Sequence, residues 1–224
     1  MGIKRGRETD REQSPAGILT FQREIWRVTD MARSTTQILT ANDHALDWAG
    51  EAAIVVAASL FVALCSRVTL FLPGTPVPLT LGNFGVLLVG LTLGSRRGFA
   101  ALALFLFEGA LGLPVFAPSP TGLVGIAQVL GPTGGYLIAY PFVAGLAGWI
   151  MEQGKKSFAR ATAAGVLAEI LLFAGGIGWL AVLTHSFGQA LRFGLYWFVF
   201  AEILKIASAA ALAQGWQRIK KALP

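Results

Sequence analysis

The sequence predicts an all-α integral membrane protein of six transmembrane helices with both termini in the cytoplasm. Three observations carry that prediction. Apolar residues make up 54% of the chain and charged residues 13%, with a mean hydropathy of +0.63, where soluble domains carry about 25% charged residues. Apolar runs of bilayer-crossing length, roughly 17–25 residues, recur from Ala49 onward, at 49–71, 79–95, 98–113, 134–151, 161–184 and 192–214. Finally, Arg96, Arg97, Lys155, Lys156, Arg160, Arg218, Lys220 and Lys221 all fall at span ends on the side of the N-terminus, against Arg67 and Arg192 on the other. An excess of Lys and Arg marks the cytoplasmic side. Trp48, Trp149 and Trp216 stand at that same boundary, as an interfacial aromatic belt requires. The net charge of +6 and the pI near 9.9 follow from this topology, so no nucleic-acid partner is implied.

Taken in order, residues 1–47 form a polar cytoplasmic tail with 7 Lys or Arg and 7 Asp or Glu. The tail has no signal-peptide apolar core, so no cleavage is expected, and Met31 is an alternative start. Ile18, Phe21, Ile25 and Val28 recur at helical spacing, with Arg23 and Arg27 off the stripe. The tail reads either as disordered or as a short amphipathic helix on the inner leaflet. The membrane domain occupies 48–218, and 219–224 is a second cytoplasmic tail.

The first span carries Ala49, Ala53 and Ala57 four residues apart, and small residues at that spacing let helix backbones approach closely. Because the stripe begins at the cytoplasmic edge, it suits an external partner helix as well as an internal neighbour. Gly90, Gly94 and Gly98 repeat the spacing across the second and third spans, which SRRG at 95–98 separates, and there internal packing is expected. Cys65 is the only cysteine, which excludes an intramolecular disulfide and a thiolate metal cluster.

Between Arg97 and Glu152 the only charged residue is Glu108, although LPVFAPSPTG and LGPTGGYL interrupt any helix there. A connection as long as 113–135 without charge suggests a lid or re-entrant segment folded onto the membrane-embedded body. In the last span Glu202 and Lys205 lie three residues apart on one helical face, mid-way along the run. A charge at the membrane centre costs roughly 2.5–3.5 kcal/mol on insertion scales, so such residues usually have a role. Glu108 and Glu169 are lone acids that the pattern does not place.

Catalysis has little to stand on. GKKS at 154–157 lacks the Ser or Thr of a phosphate-binding loop, since Lys156 takes that place, and position 149 is Trp rather than Gly. His44 and His185 have no metal-ligand company. No catalytic residue, metal site or cofactor is therefore expected.

These residues resemble the BioY family, the biotin-binding S components of energy-coupling-factor transporters, from about Ala49 to Ala213. TPVPLTLGNFGVLLVGLTLG at 75–94 is similar to the family's proline-rich lead into its second helix. GLPVFAPSP at 112–120 and LGPTGGYLIAY at 130–140 resemble its loop and the start of its fourth helix. Glu202-x-x-Lys205 resembles its acidic-x-x-Lys signature. The chain departs from the pattern in carrying Glu202 where Asp is usual, and Trp197-Phe198-Val199-Phe200-Ala201 where a Pro-Phe-x-Pro-Gly run is usual.

The resemblance implies biotin uptake at a bacterial plasma membrane, with a pocket near the outer face and no ATPase in the chain itself. It implies docking onto a transmembrane T component coupled to two cytoplasmic ATPase subunits, through the Ala49, Ala53, Ala57 stripe. It further implies that Asn83 and Glu202 meet the ureido ring, that Lys205 neutralises Glu202 or reaches a polar ligand atom, and that Tyr136, Trp179 and Trp197 pack against the rest of the ligand. An S component for another vitamin keeps the same architecture and stays open beside it. A membrane-embedded enzyme built on Glu108, Glu169 and Glu202 would need a cofactor motif or clustered His and Asp, and the sequence has neither.

Overall fold

A computed structural model describes residues 47–222 of the chain, and the readings made for residues 1–46, including the Ile18–Val28 stripe and Met31, lie outside them. Eight helices follow in order: α1 (Asp47–Arg67), α2 (Gly82–Leu93), α3 (Ser95–Ala110), α4 (Ile126–Val129), α5 (Gly134–Glu152), α6 (Phe158–Thr184), α7 (Phe187–Gly194) and α8 (Val199–Ala222). The all-α expectation needs one correction. Strands β1 (Thr69–Leu70) and β2 (Leu79–Thr80) pair antiparallel, Thr69 opposite Thr80 and Leu70 opposite Leu79. Strands of two residues are too short to show a period-two pattern. Between them the chain bends at Pro76–Val77, where Val77 N donates to Thr75 Oγ1 at 3.1 Å, and neither Pro76 nor Pro78 can join a helix interior.

Among the described residues, α1, α5 and α6 are each long and apolar enough to cross a membrane. The pair α7 and Val199–Ile219 of α8 meets the same test jointly, with a 51° bend between them. The expected spans 79–95 and 98–113 are shorter helices of 12 and 16 residues, roughly 18 and 24 Å long at 1.5 Å per residue. They meet at Gly94, whose φ of +89° favours glycine over any L side chain. Directly across, the Glu152 carboxylate accepts from Ser95 N and Ser95 Oγ, both at 2.7 Å, and so satisfies free donors at the start of α3. At the same end of the bundle, Arg97 of α3 makes a bidentate ion pair with Glu51 of α1, with Nε donating at 2.7 Å.

The core is built for close helix approach. A Cβ on Gly90 would overlap the backbone of Ala144, and one on Gly148 would overlap Gly94 and Ser95, so α2 and α3 lie directly on α5. Val62, Val86, Leu87, Leu102, Phe105 and Val143 fill the space around that contact and are fully buried. The glycines at 90, 94 and 98 thus pack internally, as expected of them. Outward faces are apolar too: Leu64, Phe142, Ile170 and Leu204 are all exposed, which suits lipid contact rather than water.

The last expected span, 192–214, is divided differently. The chain turns at Leu195–Phe198 and α8 begins only at Val199. Glu202 therefore lies in the first turn of α8, not mid-way along a continuous helix, and Lys205 one turn further in. An acidic side chain is favoured there by the unpaired N–H groups of the helix start. The break forms without the two prolines that the family pattern would place there.

Candidate functional site

Asn83 is the second residue of α2, which starts at Gly82 directly after β2. The residue is 6% exposed, and its side chain meets the two charged residues of α8. Lys205 Nζ donates to Asn83 Oδ1 and to Glu202 Oε1, both at 2.8 Å. Asn83 Nδ2 donates to Glu202 Oε2. These bonds admit one orientation of the amide, oxygen toward the ammonium and nitrogen toward the carboxylate. From α6, Glu169 reaches the same amide, with its Oε1 accepting from Asn83 Nδ2 at 3.5 Å. Asn83, Glu169, Glu202 and Lys205 are all nearly inaccessible. Two carboxyl groups thus share one amide, and one of them, Glu202, also the ammonium, at the meeting point of α2, α6 and α8.

Above this cluster opens a small cleft, lined from several elements. Asn83, Glu202 and Lys205 form one side of it, with Ser66 and Thr80 nearby. Tyr136, Tyr140, Phe173 and Phe198 supply aromatic walls, and Val77, Leu137 and Leu172 aliphatic ones. Ala117, Gln128 and Thr133 come from the uncharged 113–135 connection, where Gln128 Nε2 donates to Ala117 O at 2.7 Å. That connection is therefore folded onto the body and lines the cleft. Tyr136 is held by its hydroxyl, which donates to Gly194 O at 2.8 Å. Its ring lies where a Cβ on Gly176 would stand, so α6 needs glycine at that position for the ring to fit.

The cleft brings together Asn83, Tyr136, Glu202 and Lys205 and leaves two expected residues elsewhere. Trp179 lines a separate groove between α5 and α6, and its indole N–H donates to Gly131 O at 2.9 Å. Trp197 is half-exposed in an outer cleft with Leu191, Arg192, Leu195, Tyr196 and Val199. Neither ring lines the cleft that holds Asn83, Trp179 lying on α6 and Trp197 in the turn before α8. Ala49, Ala53 and Ala57 are all exposed. Among the described residues no helix covers the stripe. Glu108 accepts from Ser59 Oγ at 2.6 Å, apart from the cleft. Glu169 and Tyr140 were not singled out as site residues. An isolated acid or tyrosine in an apolar run does not show which neighbour it faces.

Chemically the site offers a fixed carboxylate acceptor, an ammonium donor and an amide that can do both, beneath an apolar and aromatic chamber. That suits a small ligand with a compact polar head and an apolar body. Among the described residues no group of three or more His, Cys, Asp or Glu could hold a metal ion.

The model of the BioY family matches residues 33–222. Over 160 residues the chain is 38% identical to a probable biotin transporter BioY of Pyrococcus horikoshii, covering 71% of this chain and 93% of that relative. Over 169 residues it is 37% identical to the biotin transporter BioY of Thermotoga maritima, covering 75% of this chain and 95% of the relative. Among solved structures it resembles the S-component for biotin from an ECF-type ABC transporter, with a TM-score of 0.68. That match is 22% identical and covers 77% of this chain and 93% of the other, a likeness of fold. A family match that spans the whole bundle, two relatives covered almost end to end and the shared fold lead to one conclusion: the chain belongs to the BioY family.

Proposed function

We propose that this chain is the biotin-capturing S subunit of an energy-coupling-factor transporter in the cell membrane. The observation that carries the proposal is the buried Asn83–Glu202–Lys205 cluster beneath an aromatic cleft in a chain of the BioY family. Biotin's ureido group has two N–H donors flanking a carbonyl acceptor. The Glu202 carboxylate can take an N–H, while Lys205 or the Asn83 amide can give to the carbonyl. Tyr136, Phe173 and Phe198 would enclose the apolar rest of the ligand. Trp179 and Trp197 stand outside this arrangement.

In the full proposal the chain crosses the membrane six times with both termini cytoplasmic. α2 and α3 serve as short spans, the β-ribbon and the 113–135 connection completing the outer layer. The basic residues between α5 and α6 and at the end of α8 support this orientation. The open alanine stripe of α1 is the proposed docking face for a T component, which would carry two ATPase subunits on its cytoplasmic side.

The test is equilibrium binding of radiolabelled biotin to the purified chain in lipid nanodiscs, alongside Asn83→Ala. Saturable binding by the unmodified chain, weakened about tenfold by Asn83→Ala at unchanged thermal stability, supports the proposal. No saturable binding by a folded, unmodified chain removes it.

A further inference from the structure

Glu169 lies behind the proposed ligand-facing groups, and its Oε2 is a buried atom with no hydrogen-bond partner among the described residues. Only Oε1 is engaged, on the Asn83 amide at 3.5 Å. A buried polar oxygen without a partner is a cost to folding. An aliphatic side chain of the same length would fill the space between α2, α6 and α8 without that cost. Packing alone therefore does not account for a carboxyl at this place. Its one interaction is with the residue whose orientation the cleft depends on. Asn83 has two amide hydrogens: one goes to Glu202, and the other points to α6, where Glu169 is the acceptor.

We propose, on the reading of the cleft as a biotin site, that Glu169 is a positioning residue that holds the Asn83 amide from behind. When a ligand N–H takes over the Glu202 carboxylate, Asn83 loses its shorter partner. Glu169 then keeps the amide nitrogen turned toward α6 and the amide oxygen toward Lys205. Without it the amide is free to rotate, and part of the binding energy goes into reordering it. The effect on the ligand passes entirely through Asn83, because Glu169 does not line the cleft.

The experiment is a double-mutant cycle on the full chain in nanodiscs, read by radiolabelled biotin binding and by thermal unfolding. The variants are Glu169→Met, Asn83→Ala and the two combined, with biotin raised far enough to saturate Asn83→Ala. Glu169→Met should unfold at the same temperature as the unmodified chain or higher, yet bind biotin about tenfold more weakly, the scale of one lost hydrogen bond. In the Asn83→Ala background it should weaken binding no further. Glu169→Gln, which keeps an acceptor for the amide, should recover most of what Glu169→Met loses. Unchanged affinity in Glu169→Met overturns the proposal, as do losses that multiply with those of Asn83→Ala, or a Glu169→Met chain that no longer folds. No binding by the unmodified chain overturns the biotin reading and this inference together, whereas normal binding with a flat Glu169→Met result overturns this inference alone.

Discussion

Replacing Glu202 by Gln is the sharpest test of how the cluster works, because it changes one charge and almost no volume. Lys205 Nζ has two partners, Asn83 Oδ1 and Glu202 Oε1, each at 2.8 Å, and its side chain is 8% exposed. Glu202→Gln leaves that ammonium with neutral acceptors on both sides and gives the ligand an amide oxygen in place of a carboxylate. A hydrogen bond to a charged group is worth about 1.5–3 kcal/mol, so biotin should bind roughly ten- to a hundredfold more weakly. Stability should fall as well. Breaking a buried ion pair costs about 3–5 kcal/mol, and Glu202 is the one carboxylate paired with Lys205 among the described residues. The companion Glu202→Gln/Lys205→Met removes both charges, so thermal stability should return while affinity does not. Radiolabelled biotin saturation and thermal unfolding in nanodiscs read both quantities. A Glu202→Gln chain that keeps wild-type affinity at full stability would refute the reasoning, as would a double variant that binds normally. Either result would reduce the pair to a structural bridge.

Three further outcomes are expected. In a Cys65→Ser background, single cysteines at positions 154 and 220 should label only from the cytoplasm and one at 121 only from outside; reversed labelling at any of them rules out the six-span topology. Ala53→Trp or Ala57→Trp should weaken co-purification with a T component while leaving biotin binding intact, since both positions are exposed; loss of both properties would mean that the stripe serves the fold. Glu202→Asp, the residue usual in the family pattern, should keep much of the affinity that Glu202→Gln loses, and binding as weak as that of Glu202→Gln would show that reach, not charge, limits the site.

The spans that hydropathy marks most plainly, α1, α5 and α6, differ from their expected limits by only a few residues. Each is a long apolar run ended by charge or by a capping residue, as Ser157 caps α6 by accepting from Arg160 N. The break between α7 and α8 was not legible. Leu195–Ala201 is apolar throughout and holds neither Gly nor Pro, so nothing in its pattern interrupts a helix. The β-ribbon was hidden for a different reason, its strands being two residues long. Within the site, Asn83 came only from the resemblance to the family, whereas Glu202 and Lys205 were legible because charged groups inside apolar runs are costly. The same reasoning singled out Glu169 but could not say what it faces, since that depends on how α6 is rotated against α2. The resemblance implies Trp179 as a ligand contact, and its indole N–H ties α6 to the 113–135 connection at Gly131.

The position of the α7–α8 break ties these readings together. Had the helix run unbroken from 192, Glu202 would sit three turns inside it, surrounded by backbone already hydrogen-bonded. Starting α8 at Val199 places Glu202 in a first turn, where the unpaired N–H groups of the helix start favour an acid, and leaves Phe198 free to wall the cleft. The same turn brings Gly194 O within reach of the Tyr136 hydroxyl and Phe193 O within reach of Thr75 Oγ1, at 2.8 and 2.7 Å. One break in the chain thus joins the segment before β2, the aromatic wall on α5 and the charged floor on α8.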